Sequence, residues 1–252
     1  MSRAQLTSTV EQNSAGAASP FLAGKNKIIN ADFRINQRGF NSITTTSTFG
    51  FDRWQPFING TGTTTYSAQT FTVGAAPVAG YEAINFARFV TTGQTGTNPY
   101  SILAQNIEDV RTFAGQTVTV SFWAKAATGT PKISVELAQN FGTGGSAEVD
   151  NYVGQATLTT SWARYSVTTT LPSISGKTIG TSSLLGTFLW LSGGTDYNAR
   201  TNSIGIQTNT FDIWGVQVEA GSVATPFTTA SGTLQGELAL CQRYYYLSLI
   251  HI

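Results

Sequence analysis

From Ile28 onward, short β-forming runs recur roughly every ten to fifteen residues, separated by clusters of Gly, Asn, Pro and Thr. This spacing is typical of a β-sandwich or barrel, and the lack of alternating strand and helix patterns disfavours a parallel α/β fold. The sequence predicts strands near 28–37, 51–58, 64–72, 81–90, 100–109, 116–126, 132–140, 154–160, 163–171, 185–192 and 210–220.

Composition agrees with an all-β chain. Charged residues make up 11% of the 252 residues, whereas an ordinary soluble domain has roughly 25%. Helix surfaces need Glu, Lys and Arg, so few helices are expected. The length and the 40% hydrophobic content suffice for one main domain with a sizeable core.

Alternation within the strand runs predicts which side chains share a face. In GQTVTVSFWAKA, Trp123 lies on the same face as hydroxyls and a lysine, opposite an apolar set. In WARYSVTTTL, Trp162 and Arg164 fall on the polar side. LLGTFLWLSGG is apolar on both faces, as in a central strand that is covered on both sides.

One helix is expected near the C-terminus. Leu234, Leu238, Cys241 and Tyr245 follow a helical spacing, and Thr233 is a suitable N-cap. The pattern predicts about three turns. The segment YYYLSLIHI that follows could instead be β. Cys241 is interpreted as a small buried hydrophobe.

Charge and hydropathy exclude several function classes. The 14 basic and 13 acidic residues give +1 without any basic cluster, so nucleic acid is not expected as a partner. No stretch approaches the 18 or so apolar residues of a membrane span, and residues 1–27 lack the apolar centre of a signal peptide. We expect no membrane insertion, and synthesis in the cytoplasm.

Catalytic and metal motifs are weak. The sole histidine, His251, rules out an internal Ser-His or Cys-His site, and the same shortage of ligands excludes a zinc site. Scattered carboxylates show no spacing that selects a glycosidase pair. We expect no catalytic residues and no cofactor. Asp32 and Asp212 are the candidates for a structural calcium ion, although two carboxylates supply less than half a calcium shell.

Aromatic residues are the more informative group. Sugars stack on flat rings and hydrogen-bond to polar neighbours, so a sheet face with Trp among polar residues can bind a glycan. Trp123 and Trp162 qualify by strand parity, and Arg164 and Tyr100 are added as candidates. The alternative is that these rings fill the sandwich core or a subunit contact.

Two terminal blocks resemble a known group of proteins. KNKIINADFRINQRG at 25–39 with FDRW at 51–54 is similar to the opening block of phage tail-fibre and virion-surface proteins. FDIWGVQVEAGSVATPF at 211–227 with GELALCQRYY at 236–245 is similar to their closing block. Between these blocks, GQTVTVSFWAKA and SWARYSVTTTL resemble strand motifs of jelly-roll carbohydrate-binding modules. Ala31 stands where the group usually has Gly.

The resemblance implies an antiparallel jelly-roll β-sandwich on a bacteriophage particle, often a homotrimer. The function it implies is non-enzymatic host adhesion of the tail-fibre type through bacterial surface polysaccharide, beside other virion proteins. A capsid or tail decoration protein is the first alternative, and a polysaccharide depolymerase and a carbohydrate-binding module of a secreted bacterial enzyme follow. The group carries no defining catalytic residues.

The two ends are predicted to be interfaces. Residues 1–27 form an extended arm for virion or subunit attachment, 28–232 the sandwich, and 233–252 a helix with an apolar terminal segment. An exposed YYYLSLIHI would be prone to aggregation, so a second copy or another virion protein is expected to cover it, unless its own domain does. The candidate interface residues are Phe21, Leu22, Tyr244, Tyr245, Tyr246, Leu247, Leu249 and Ile250.

Overall fold

The computed structural model describes residues 23–247 as two packed antiparallel sheets with one helix of more than two turns. This confirms the predicted all-β jelly-roll sandwich. The strands are β1 Ser42–Ile43, β2 Gln55–Asn59, β3 Thr63–Thr70, β4 Asn85–Thr92, β5 Tyr100–Ile107, β6 Thr117–Ala126, β7 Lys132–Asn140, β8 Val149–Thr157, β9 Ala163–Thr170, β10 Leu184–Gly193 and β11 Asn209–Ala220.

The strands divide into a six-stranded sheet, in the order β1-β3-β4-β11-β6-β9, and a five-stranded sheet, in the order β2-β5-β10-β7-β8. The core lies between the sheets, where alternate residues of each strand point inward. Central strand β10 is buried along most of its length, as its apolar run predicted, with Leu184 and Phe188 partly exposed. The largest fully buried side chains are Trp54, Trp190, Trp214, Tyr66, Phe33, Phe51, Phe89, Phe122, Phe141 and Phe211.

The strand predicted at 28–37 is wrong, because this segment folds as irregular turns. Asn30 and Phe33 have positive φ angles of 55° and 57°. The Asn30 side chain donates to the carbonyls of Ile35 and Asp52 and accepts from Ile35 N–H. These bonds satisfy the backbone locally, so the segment needs no neighbouring strand.

Elsewhere the predicted strands are found, and in three cases an end is shifted by more than two residues. β2 begins at Gln55 rather than at 51. β4 begins four residues later and ends two residues later than the predicted 81–90, and β8 covers Val149–Thr157 rather than 154–160. The strand at 132–140 has the predicted bounds.

The C-terminal helix spans Leu234–Gln242 and begins at the predicted cap, since Thr233 Oγ1 accepts from Gly236 N–H. Of the predicted stripe, Cys241 is buried and Leu238 and Tyr245 are partly buried, whereas Leu234 is 50% exposed. Glu237, which is not part of the stripe, is fully buried and adds a polar anchor. Burial raises the pKa of the Cys241 thiol, which agrees with its interpretation as a structural residue.

A one-turn helix, Asn198–Thr201, follows a 3-10 turn at Thr195–Tyr197 in the loop after β10. Among the helices of residues 23–247, none is long and apolar enough to cross a membrane. The backbone of Gly24 and Lys27 is bonded to Ala230 and Val218, so the chain joins the sandwich before residue 28. Phe21, Leu22, Leu249 and Ile250 lie outside the described residues.

Candidate functional site

A second apolar cluster lies on the outer face of the five-stranded sheet, away from the main core. Strand register places side chains from neighbouring strands in rows across this face. The buried members are Ile102, Ala104, Trp190 and Ile204, and the partly buried members are Phe57, Tyr100, Phe188 and Tyr197.

The loop after β10 covers one half of this face. The Tyr197 ring lies 5.3 Å from the Trp190 ring and 5.2 Å from the Tyr100 ring, centroid to centroid. The Thr201 carbonyl accepts hydrogen bonds from Ser134 Oγ at 2.6 Å and from Gln155 Nε2 at 2.7 Å. Trp190 is consequently buried, and the open part of the face lies around Phe188.

Phe188 lies flat against its own strand because Gly186 has no side chain. A Cβ built on Gly186 would stand 2.6 Å from Phe188 Cζ and 2.9 Å from Cε2, far inside van der Waals contact. The ring is partly exposed, and the Phe57 ring meets it in a T-shaped contact at 5.9 Å. This arrangement gives a flat apolar platform on the sheet.

Polar side chains surround the platform. Gly186 is in register with Asn106 on one side and with Ala138 on the other, and Ala138 is in register with Asp150. Asn106 is partly exposed and Asp150 is exposed. Tyr152, two residues after Asp150, is also partly exposed. We call Phe57, Asn106, Asp150, Tyr152 and Phe188 the Phe188 face.

An ion pair joins the covering loop to the sheet next to this face. Arg200 Nε donates to Glu136 Oε1 at 2.8 Å, and Trp190 Nε1 donates to Oε2 at 2.6 Å. Arg200 Nη2 also lies 3.3 Å from Asp150 Oδ1. Burial raises the pKa of the Glu136 carboxyl to about 7, against the lowering effects of Arg200 and Trp190.

The sequence-predicted glycan residues occupy two different sheets. Trp123 and Arg164 are a register pair on the outer face of the six-stranded sheet, with the guanidinium 4.6 Å from the Trp123 ring centroid. Trp123 is only 9% exposed, because Phe227 and Trp214 pack against it. Trp162 is partly buried against Phe71 and Phe86, at 5.5 Å and 5.4 Å between ring centroids.

Tyr100, by contrast, lies on the five-stranded sheet under Tyr197. The structure therefore brings Trp123 and Arg164 together and separates Tyr100 from them. Lys125, on the same face as Trp123, lies over the Trp162 ring at 5.5 Å. The predicted parity of Trp123 with Lys125 is confirmed by their alternation along β6.

Asp32 and Asp212, the weak calcium candidates, each contact an arginine. Arg88 binds Asp212 through two hydrogen bonds of 2.6 Å and 2.8 Å. Arg34 and Tyr81 both donate to Asp32 Oδ2. Within residues 23–247, no three His, Cys, Asp or Glu side chains form a group that could hold a metal ion.

The tyrosines after the helix lie on two arginines. Tyr244 stacks under Arg53, with 3.4 Å from the ring centroid to Cζ, and Tyr245 stacks under Arg38 at 3.6 Å. Tyr246 and Leu247 remain 67% and 47% exposed. The part of the predicted interface segment that the structure describes thus presents apolar surface to its surroundings.

The sequence analysis missed Phe57, Asn106, Asp150, Tyr152 and Phe188. Phe188 sits in a run that is apolar on both faces, where alternation carries no information. The available signal was Gly186, because a glycine inside a strand often marks a close approach to its backbone. Strand pairing, which brings Asn106 and Asp150 to the same row, cannot be deduced from one strand alone.

Solved structures with similar folds include proteins of different kinds. The family 11 carbohydrate-binding module from Clostridium thermocellum, in complex with a β-1,3-1,4-mixed-linked tetrasaccharide, is 12% identical, with a TM-score of 0.43 over 74% of this chain and 99% of that one. A cyclase from Fischerella sp. TAU is 14% identical, with a TM-score of 0.46 over 78% and 96%.

The enzymatically active domain of tailspike protein 4 from bacteriophage CBA120 is 11% identical, with a TM-score of 0.43 over 81% of this chain. The similarity spans only 22% of that tailspike chain. No curated protein matches the sequence. Residues 82–183, from the segment before β4 to the segment before β10, match the family model described as a carbohydrate binding domain.

Proposed function

We propose that this protein is a non-enzymatic glycan-binding component of a bacteriophage particle, which binds bacterial surface polysaccharide through the Phe188 face. The observation that carries the glycan-binding part is the partly exposed Phe188 ring, laid flat on Gly186 within a polar surround. The match of residues 82–183 to a carbohydrate-binding domain supports it.

The chemistry of the Phe188 face suits a sugar ring. The C–H groups of a pyranose pack on an aromatic ring, and the hydroxyls around its edge need donors and acceptors in fixed positions. The Asn106 amide, the Asp150 carboxylate and the Tyr152 hydroxyl offer both. The strands hold all three residues, so little side-chain and backbone freedom is lost on binding.

A binding role without catalysis is supported by the state of the nearby carboxylates. Glycoside hydrolysis requires one carboxyl to donate a proton and a second to attack or to activate water. Both oxygens of Glu136 are engaged by Arg200 and Trp190, and Asp150 is also close to Arg200. Both acceptor oxygens of Glu136 are thus used within the protein, and Asp150 remains as a ligand acceptor rather than the second member of a catalytic pair.

The virion role and the oligomer are supported by the two terminal sequence blocks and by the exposed Tyr246 and Leu247. An outward-facing sandwich would present the Phe188 face to the host, while the apolar side chains after the C-terminal helix pack on a second copy. In this proposal the protein is a homotrimer attached to other virion proteins, with residues 1–27 as the attachment arm. Copy number and position on the particle, determined by electron microscopy, separate tail adhesion from decoration of the head.

Glycan binding is tested by Phe188→Ala in an assay against host surface polysaccharides, by glycan array and calorimetry. We expect at least a tenfold loss of affinity, about 1.4 kcal/mol, because the stacking surface is removed. Gly186→Ala should weaken binding by a similar factor. This variant keeps the Phe188 ring, but the added Cβ would push the ring off the sheet.

Trp162→Ala is the matched control, because Trp162 is a partly buried aromatic residue on the outer face of the opposite sheet. Unchanged affinity is expected for that variant. The reverse result, with binding lost in Trp162→Ala and kept in Phe188→Ala, would place the site at the sequence-predicted Trp123, Trp162 and Arg164. Release of reducing ends from the polysaccharide would contradict the non-enzymatic role.

A further inference from the structure

A pocket of about 520 Å³ opens at the end of the five-stranded sheet, next to the Phe188 face. Asn106 belongs to both, because it is in register with Gly186 and also lines the pocket. The residues that line it are Arg53, Asn106, Ile107, Glu108, Asp109, Arg111, Ile179, Gly180, Ser182, Ser183, Leu184 and Tyr244. We call it the Arg53 pocket.

The pocket concentrates charge in a chain that has little of it. Two ion pairs lie in or beside the pocket. Arg111 contacts Asp109 at 2.6 Å, and Arg243 contacts Glu108 at 2.6 Å. Arg53 is not part of either pair. Its Nη2 donates to the backbone carbonyl of Asn106 at 2.5 Å.

Arg53 differs from most other arginines of the described chain. Arg34, Arg38, Arg88, Arg111, Arg200 and Arg243 each form an ion pair with a carboxylate. Within residues 23–247, Arg53 and Arg164 form none, and the Nε atom of each is buried without a hydrogen-bond acceptor. Burial lowers the pKa of the Arg53 guanidinium, although Glu108 opposes this effect from a distance.

The surrounding structure holds Arg53 in this place. Its backbone has a φ of 73°, in the left-handed region that non-glycine residues seldom adopt. The guanidinium is stacked on Tyr244 with 3.4 Å between Cζ and the ring centroid. A buried cation that lacks its counter-charge is costly, and an anion entering the pocket would supply it.

We infer that the Arg53 pocket binds the carboxylate of an acidic sugar residue whose neighbouring sugar lies on the Phe188 face. The inference rests on the proposed glycan-binding function and adds a substrate class, acidic polysaccharide. Arg53 presents a planar cation for the carboxylate, Ser182 and Ser183 are among the residues that line the same pocket, and Asn106 joins the two subsites.

The pocket is tested separately from the platform by NMR titration of the full chain with glucuronate. The Arg53 Nε–H resonance should shift in a saturable manner with glucuronate and stay unchanged with glucose or with sodium chloride at equal ionic strength. The Arg164 Nε–H resonance is the internal control, because that arginine is similarly unpaired and lies on the opposite sheet. Equal shifts of both resonances, or none at Arg53, would overturn the inference.

The combined site is tested by calorimetry with oligoglucuronate and oligogalacturonate, each beside its carboxyl-reduced form. The parent protein should bind at least one acidic oligomer tenfold or more tighter than its reduced form. Arg53→Gln should abolish this preference, and Arg164→Gln should retain it. Thermal melts of both variants check that each is folded. Arg53→Lys keeps the positive charge but loses the planar guanidinium, so a reduced preference for the acidic oligomer is expected in this variant.

The two proposals fail in different ways. Phe188→Ala should lose affinity for acidic and reduced oligomers alike and keep the Arg53 shift with glucuronate. Failure of every oligomer to bind, with the Arg53 shift present, would contradict the platform and leave the carboxylate subsite standing. Equal binding of acidic and reduced oligomers by the parent would contradict the subsite and leave the platform standing.

Discussion

Glu136 shows how a single residue on this sheet is balanced between burial and pairing. The carboxyl is fully buried and accepts one hydrogen bond from Arg200 and one from Trp190. Desolvation nevertheless raises its pKa from the ordinary 4.5 to about 7. The contact between Arg200 and Glu136 therefore holds the loop over Trp190, while the cost of burial still outweighs the stabilisation that Arg200 gives to the ionised form of Glu136.

This balance predicts a pH dependence of stability. The folded carboxyl holds its proton more tightly than the unfolded one, so between pH 4.5 and 7 folding takes up a proton and the free energy of unfolding falls as pH rises. Glu136→Gln should remove that part of the slope, which for one group is at most about 1.4 kcal/mol per pH unit. Urea unfolding of both proteins across this range measures it. Parallel slopes would contradict the raised pKa.

For Trp123, the alternation of residues along the strand correctly predicted the outer face of the sheet. It did not show which residues pack over the ring. Phe227 and Trp214 come from a distant part of the chain and cover the ring. Alternation fixes the face of a strand residue, whereas exposure depends on segments that pack on the sheet later in the chain. Phe188 was missed for the complementary reason, because its run looks buried on both sides whereas the ring is partly exposed.

Elements with strong alternation were predicted well, and irregular elements were not. β6, β7 and β10 lie within one residue of their predicted bounds. Residues 28–37 have strand-like composition, yet Asn30 closes them into turns through contacts with Asp52, 22 residues away. Such long-range side-chain bonds do not appear in a local pattern.

The C-terminal helix is anchored by a buried carboxylate. Glu237 accepts hydrogen bonds from Asn30 N–H at 2.8 Å, Ser231 N–H at 2.7 Å and Ser231 Oγ at 3.0 Å. The helix is thereby fixed both to the turn that precedes it and to the N-terminal segment. The apolar spacing predicted the position of the helix correctly and its buried side correctly from Leu238 onward, whereas Leu234 faces outward.

Glu237→Gln should destabilise the protein by about 2 kcal/mol, because an amide replaces one acceptor oxygen with a donor that faces existing donors. Leu234→Ala should change stability by less than about 0.5 kcal/mol, as for other exposed sites. Chemical denaturation of both variants measures the difference. A larger loss in Leu234→Ala than in Glu237→Gln would contradict both the exposed position of Leu234 and the anchoring role of Glu237.

For the whole molecule, the low content of charged residues and the exposed apolar side chains both favour aggregation of the folded chain. Inside the sandwich, apolar residues are covered by the opposite sheet. Tyr244 and Tyr245 are partly covered by the guanidinium groups of Arg53 and Arg38. Tyr246 and Leu247 have no such cover within residues 23–247, and the proposed oligomer would provide it.

A chain ending at Tyr245 tests this directly, because it keeps both stacked tyrosines and removes the exposed residues after them. We expect light scattering to show a trimer for the full chain and a monomer for the shortened one, with the same far-UV circular dichroism. Affinity per chain for a short oligosaccharide should be unchanged, because the Phe188 face is built from β2, β5, β8 and β10, while binding to long polysaccharide should weaken with the loss of multivalency. A full chain that stays monomeric at high concentration would contradict the proposed interface, and loss of short-ligand affinity on truncation would show that the residues after Tyr245 also support the adjoining binding site.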